Sequence, residues 1–238
     1  MKIDVIPYAP AIRSDLIKNR YVIVIDVLRA SSVMVTALAN GAKAFIPVRT
    51  VEEAHQKAIE LQGEEVLLCG ERDTKIIDGF HLGNSPQGYT RNKVQGKTLI
   101  FTTSNGTQAL NRLQEAAEVF IGSFLNMNAL VRKFQALDNV VLVCSGTNNN
   151  FSMDDAMCAA LFIDEIMKKK AVALSDFSIT LLKAFRKDNG DLHKLLKDCY
   201  HLNLLKRNGF EKDVEFCLQK NISDIVPEMK DGRIVRVN

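Results

Sequence analysis

β-Branched runs bounded by Gly, Ser, Thr or Asn recur at residues 2–6, 21–25, 44–48, 66–69, 98–101, 119–121 and 140–144. Such runs predict buried strands. Between several of them lie stretches whose apolar positions fall three and four residues apart, at 32–39, 51–61, 108–116 and 128–137, the spacing of a helix with one buried face. Strand alternating with helix restricts the chain to an α/β fold, because a parallel crossover needs a helix to cover the sheet. A longer helical pattern at 153–169 places Ala156, Ala159, Ala160, Ile163 and Ile166 on adjoining faces and ends on Lys168, Lys169 and Lys170, basic residues that suit the negative pole of the helix dipole. Residues 176–219 are expected to be mainly helical, with a last strand at 234–237 after a turn region at 227–232. The predicted architecture is a largely parallel sheet, or sheets, flanked by helices. At 238 residues the chain fits one large domain or two small lobes; it is expected to be a single unit whose α/β lobes, where present, divide at about 1–125 and 126–238 with the site between them.

Composition narrows the function classes. A net charge of +3 from 31 basic and 28 acidic residues is too balanced for a nucleic-acid or membrane surface, so a bound anion must be met locally by a small-molecule site. The N-terminus lacks the apolar core of a secretory signal, and no apolar run is long enough to cross a bilayer. A cytoplasmic protein is expected. Cys69, Cys144, Cys158, Cys199 and Cys217 are odd in number and lack CxxC spacing, which argues for reduced, buried thiols over disulfides or a thiolate zinc site. A homodimer is the default for oligomeric state.

Ligands of open α/β sheets bind beyond the carboxyl ends of the strands, where loops and helix N-termini converge. Four such ends carry polar residues. The strand YVIVI runs into Asp26, followed by Arg29, Ser31 and Ser32 at a helix start, a compact set for a metal and an anion. The plainer alternative is a serine cap with Arg29 paired to Asp26. VLLC is followed by Glu71 and Arg72, and then by the loop Gly79 to Pro86, which contains His81 as a candidate proton donor. TLIF leads into Thr102, Thr103, Ser104, Asn105, Gly106 and Thr107, enough small hydrogen-bonding groups to cradle phosphate oxygens. VVLVC leads into Ser145, Gly146 and Thr147, with Asp154 and Asp155 at the head of the long helix, where helix capping is the competing explanation.

Familiar phosphatase motifs fail on spacing. A thiolate nucleophile at Cys144 would need an arginine at position 150, which is Asn150. The haloacid-dehalogenase pattern would need an aspartate where Leu28 stands. The Gly96–Lys97–Thr98 triplet lacks the P-loop glycine, since Arg91 occupies that position.

The segments VIDVLRASS, CGERDTKIIDGFHLGNSP, TTSNGTQAL and CSGTNNNFSMDDAMCAA nevertheless resemble, in order, the signature blocks of the 2-phosphosulfolactate phosphatase (ComB) family of coenzyme M biosynthesis. The resemblance spans roughly residues 20 to 165 and maps onto Asp26, Arg29, Ser31, Glu71, Arg72, Thr103, Asn105, Gly106, Ser145, Gly146, Asp154 and Asp155. It implies a two-lobed α/β, magnesium-dependent acid phosphatase that converts 2-phospho-3-sulfolactate to sulfolactate and phosphate. On that basis Asp26, Glu71 and Asp154 or Asp155 are expected to hold Mg2+. Arg29 and Arg72 are expected to clamp the anion, and the Thr103–Gly106 and Ser145–Thr147 loops to donate to the phosphoryl oxygens. The nucleophile is either a metal-activated water or a carboxylate such as Asp26. Two other readings stay open at this point: a non-catalytic receptor for a phosphorylated or sulfonated metabolite, and a thiol hydrolase using Cys144.

Overall fold

The computed structural model describes residues 1–237. Its strands are β1 (Lys2–Ile6), β2 (Tyr21–Ile25), β3 (Ala44–Pro47), β4 (Val66–Arg72), β5 (Lys75–Ile76), β6 (Thr98–Thr102), β7 (Glu118–Gly122), β8 (Asn139–Cys144), β9 (Ala173–Leu174), β10 (Val226–Lys230) and β11 (Arg233–Val237). They join in one 11-stranded sheet of order β5-β4-β6-β3-β11-β10-β7-β2-β8-β1-β9. All the strands expected from the sequence form. The two-residue strands β5 and β9 carried no readable pattern, and β10 was masked by Pro227, Glu228 and Lys230.

The central strands are apolar on both faces because each face meets a separate core. Ile23 and Ile25 of β2 pack with the helices Met127–Phe134, Met153–Met167 and Asp176–Lys187, while Val22 and Val24 pack with the helix Ala30–Ala39. Strand β8 repeats the alternation, with Val140, Leu142 and Cys144 on one side and Val141 and Val143 on the other. A one-residue slip would exchange the two sets, so register is tightly specified. A smaller cluster under the helix Val51–Glu60 gathers Ile46, Ala54, Leu68 and Ile100.

The hairpin β10–β11 sits in the middle of the sheet, and its pairings with β7 and β3 are antiparallel. The parallel set β4-β6-β3 therefore starts out opposed in direction to the parallel set β7-β2-β8-β1. The loops at the two carboxyl edges nevertheless meet over the central hairpin, lining one cavity together. Hydrogen bonds across the junction record the meeting: Asn148 N donates to Asn105 Oδ1 (3.0 Å), and Arg29 Nη2 to the Thr74 carbonyl (2.9 Å). Strands from before and after residue 125 interleave in this sheet, with β8 lying between β2 and β1.

Candidate active site

The junction of the two carboxyl edges encloses a polar cavity. Asp26 and Arg29 reach it from the end of β2, and Glu71 and Thr74 from the end of β4. Thr103, Ser104 and Asn105 follow β6, and Thr147 and Asn148 follow β8. Asn84 closes one side, and His201, Leu204 and Leu205 of the helix Tyr200–Arg207 cover it.

Asp26 is buried, and its Oδ1 accepts from Ala30 N (3.2 Å). Burial pushes its carboxyl up to about 7; the Asp154 and Glu71 carboxylates add to the rise, while His201 and the Ala30 N–H oppose it. A carboxylate so short of positive charge is poised to take a proton or a cation. Gly106 leaves it room: a Cβ there would lie 2.7 Å from Asp26 Oδ2 and 2.9 Å from Ala30 Cβ. Ser31 and Ser32 turn away from the cavity. Ser31 Oγ donates to the Asp26 carbonyl (2.7 Å) and Ser32 Oγ to that of Val27 (2.8 Å), so both hydroxyls hold the strand-to-helix turn instead of binding a ligand.

Glu71 accepts from Ser104 N (2.8 Å) through Oε1 and from Thr74 N (3.0 Å) through Oε2. These bonds bind the β4 turn to the loop after β6. Successive strand residues face opposite ways, so the expected clamp Arg72 points off the cavity. Its guanidinium donates to the Glu71 carbonyl (2.7 Å) and to Thr102 Oγ1 (2.9 Å), which takes Thr102 out of the cavity as well.

Arg29 is on the wall but already engaged. Nη1 donates to Asp213 Oδ2 at 2.6 Å, Nη2 donates to Thr74 O, and the guanidinium lies 4.1 Å from the centre of the Phe210 ring. Its partner is thus Asp213, itself anchored by Ser85 Oγ (2.7 Å), and not Asp26. The remaining N–H groups are the part of the fork left for a ligand.

The acidic pair of the long helix divides. Asp155 accepts from Val27 N (2.8 Å) and Gly146 N (3.0 Å), which ties the end of β2 to the end of β8. Burial, together with Asp154 and Asp26, drives its carboxyl well above the usual range against those two N–H groups. Asp154 stands behind His201: Ser152 Oγ and Cys199 Sγ (3.7 Å) reach its Oδ1, and His201 Nδ1 lies 3.4 Å from Oδ2. Burial works against its ionisation, but the His201 charge and the Ser152 hydroxyl outweigh burial and lower it. Neither aspartate lines the cavity, so the expected three-carboxylate metal set reduces to Asp26 and Glu71. Among the described residues, no group of three or more His, Cys, Asp or Glu is arranged to hold a metal ion.

Thr103 and Thr147 line the cavity. Ser145 is buried at the end of β8, its Oγ without a partner, and Gly146 (φ 77°) brings its backbone so close to Asn150 that a Cβ would fall 2.3 Å from the Asn150 carbonyl oxygen. His81 is a correction: it is exposed, away from the cavity wall, and its Nδ1 accepts from Leu68 N (3.0 Å). Cys144 is fully buried, and burial, with Asp155 and Cys158, drives its thiol far above the usual value. A nucleophilic cysteine requires the reverse.

Sequence reasoning missed His201 and Asn84. Asn84 is buried with Oδ1 unpartnered. In the sequence it was one loop residue among several, and His201 was one polar position in an amphipathic helix whose Leu204 and Leu205 share its face.

A cavity walled by carboxylates, backed by a buried arginine and built where strand ends converge in an α/β sheet defines the class: an enzyme for a small polar metabolite. The family model described as 2-phosphosulpholactate phosphatase matches residues 8–232. A protein of Clostridium perfringens strain SM101 named "Probable 2-phosphosulfolactate phosphatase" is 47% identical over 240 residues, covering 100% of this chain and 97% of that one. Proteins of the same name from Clostridium beijerinckii (40% over 236 residues, 98% and 99% covered) and Caldicellulosiruptor saccharolyticus (39% over 244 residues, 100% of both) are also similar. The chain belongs to the 2-phosphosulpholactate phosphatase family, and with it to the phosphoric monoester hydrolases. No helix among the described residues is long and apolar enough to cross a membrane.

Proposed function

We propose that this cavity hydrolyses 2-phospho-3-sulfolactate to sulfolactate and phosphate, a step of coenzyme M biosynthesis, with one Mg2+ held by Asp26, Glu71 and the Asn84 carbonyl oxygen. The observation that carries the metal assignment is the pairing of a buried, charge-starved Asp26 with a buried amide oxygen that has no partner on the same wall. Hard divalent cations select such oxygens. Glu71 accepts one N–H on each oxygen, and each oxygen keeps lone-pair capacity for a further contact.

Charge balance supports the same reading. The substrate brings a phosphate, a sulfonate and a carboxylate to a wall that already holds Asp26, Glu71 and Asp73, opposed by Arg29 and His201. Like charges this close repel by several kcal/mol at protein dielectric constants. Held by Asp26, Glu71 and Asn84, a Mg2+ ion would neutralise this charge and would polarise a phosphoryl oxygen. The chain's own residues do the rest. The open N–H groups of Arg29 orient the anion, and the Thr103 and Thr147 hydroxyls donate to oxygens that gain charge in the transition state. Leu204 and Leu205 limit water. The five cysteines are free and buried, which suits the cytoplasm proposed as the site of action.

The receptor alternative has little use for two cavity carboxylates beside an anionic ligand. Phosphate release from 2-phospho-3-sulfolactate, measured with Mg2+ and after EDTA, tests the proposal. Release that EDTA abolishes and Mg2+ restores is expected. No release under either condition overturns the assigned reaction, and release indifferent to EDTA overturns the metal.

A further inference from the structure

We infer that His201 is the general acid of the reaction, donating the Nε2 proton to the ester oxygen as the phosphorus–oxygen bond breaks, and that Asp154 is the residue that positions it. The inference rests on the phosphatase reading above. Phosphosulfolactate has an aliphatic leaving oxygen, a poor leaving group unless it is protonated as it departs. A proton donor is therefore needed on the cavity wall. His81 is not there, and His201 is.

The geometry is that of an oriented imidazole. Nδ1 lies 3.4 Å from Asp154 Oδ2, an ion-pair contact without a hydrogen bond, since Oδ2 has no hydrogen-bond partner; this charge contact turns one edge of the ring toward Asp154 and leaves Nε2 as the other ring nitrogen, also with no hydrogen-bond partner among the described residues. Asp154 is itself held by Ser152 Oγ, which in turn lies 3.0 Å from Thr147 Oγ1 on the cavity wall. The arrangement follows the nucleophile-free half of a catalytic triad: a buried carboxylate orients an imidazole toward the reacting atoms. Three charged groups face the ring. Asp154, from the head of the long helix, and Asp26, from the end of β2, favour its protonated form against burial, and Arg29 opposes it. A second cleft, lined by Phe151, Cys199 and Tyr200 and sharing Thr147, Asn148 and His201 with the first, borders His201 and gives it a route to solvent.

The step balances without a further reactant. The phosphorus–ester oxygen bond breaks with its electron pair on oxygen, the Nε2–H bond breaks, and an O–H bond forms on sulfolactate. The phosphoryl group passes to the incoming oxygen nucleophile. Water supplies the net oxygen and hydrogen of the products, and neutral His201 regains a proton from solvent.

The test compares the Mg2+-loaded wild type with His201→Gln on 2-phospho-3-sulfolactate and on 4-nitrophenyl phosphate, whose phenolate leaves without protonation. Loss of a general acid removes about 10²–10⁴-fold in rate. The expected result is a loss of that size in kcat on phosphosulfolactate with KM changed less than about threefold, and a loss under about tenfold on the aryl ester. Asp154→Asn should show the same pattern with a smaller loss, and serves in place of His201→Gln should the latter not fold. Equal losses on both esters, a raised KM with kcat retained, or full activity on phosphosulfolactate overturns the inference. Where the wild type cleaves phosphosulfolactate alone, the kcat and KM changes decide by themselves. A wild type that cleaves neither ester overturns the phosphatase reading, a different failure from that of the acid alone.

Discussion

Asp26 owes its unusual environment to what surrounds it, and Gly106 shows how little room that leaves. A Cβ at position 106 would fall 2.7 Å from Asp26 Oδ2, closer than unbonded atoms approach, so Gly106→Ala must displace either the carboxylate or the loop. Misplacing a reacting group by about 1 Å can lower turnover a hundredfold. Gly106→Ala is accordingly expected to lose ten- to a hundredfold in kcat while its circular dichroism spectrum stays that of the wild type; an unchanged kcat would show that the contact has no bearing on Asp26. Arg29 teaches the complementary lesson. Its charge belongs jointly to Asp213, the Thr74 carbonyl and the Phe210 ring, so it acts as a rigid part of the wall. Breaking a buried pair of this kind by removing one partner is strongly destabilising.

Among the elements, the long helix Met153–Met167 does two jobs through adjacent residues. Asp154 serves His201, and Asp155 joins β2 to β8 through the Val27 and Gly146 N–H groups. Asp155→Asn keeps one acceptor but turns an amide N–H toward the other donor. A loss of about 1–3 kcal/mol in denaturant stability is expected, and a variant as stable as the wild type would show that the tie carries no energy. The strands and long helices were legible in the sequence because their periodicities answer to buried faces: Ile23 and Ile25 serve one core, Val22 and Val24 the other. The hairpin β10–β11 was half hidden, since its burial comes from strands more than 100 residues earlier in the chain, β3 and β7. At the site, Asp26, Glu71, Thr103, Asn105 and Thr147 were visible as strand-end polar residues. Arg72 and Thr102 were misplaced because strand alternation, not proximity in sequence, decides which side chains enter the cavity. His201 could not be distinguished, because nothing local separates a histidine oriented by a distant aspartate from an ordinary helix residue.

For the whole molecule, the central hairpin holds together two half-sheets whose carboxyl edges make one cavity. Glu64 helps to fasten it: its carboxylate pairs with Arg233 of β11 at 3.0 Å and with Lys43 at 2.9 Å, and accepts from Thr98 Oγ1 of β6 at 2.8 Å. The Arg233 bond, followed by those from Lys43 and Thr98, depresses its carboxyl to about 2 from an ordinary 4.5. A carboxylate with a lowered folded value stabilises the native state above its unfolded value, and that stabilisation fades as pH falls toward the folded one. The gap in denaturant midpoint between wild type and Glu64→Gln is therefore expected to be constant above about pH 5 and to close toward pH 2. A gap independent of pH would contradict the pairing.

Bringing both edges together matters only if the carboxylates that meet there do the chemistry. The most direct measurement is phosphate release from 2-phospho-3-sulfolactate by wild type and Asp26→Asn, side by side across a range of Mg2+ concentrations. The wild-type rate should rise and saturate with Mg2+. The folded Asn variant should remain at least about a hundredfold slower at every concentration, as expected on losing a charge-stabilising group. Equal, Mg2+-dependent rates from the two proteins would take Asp26 out of the site.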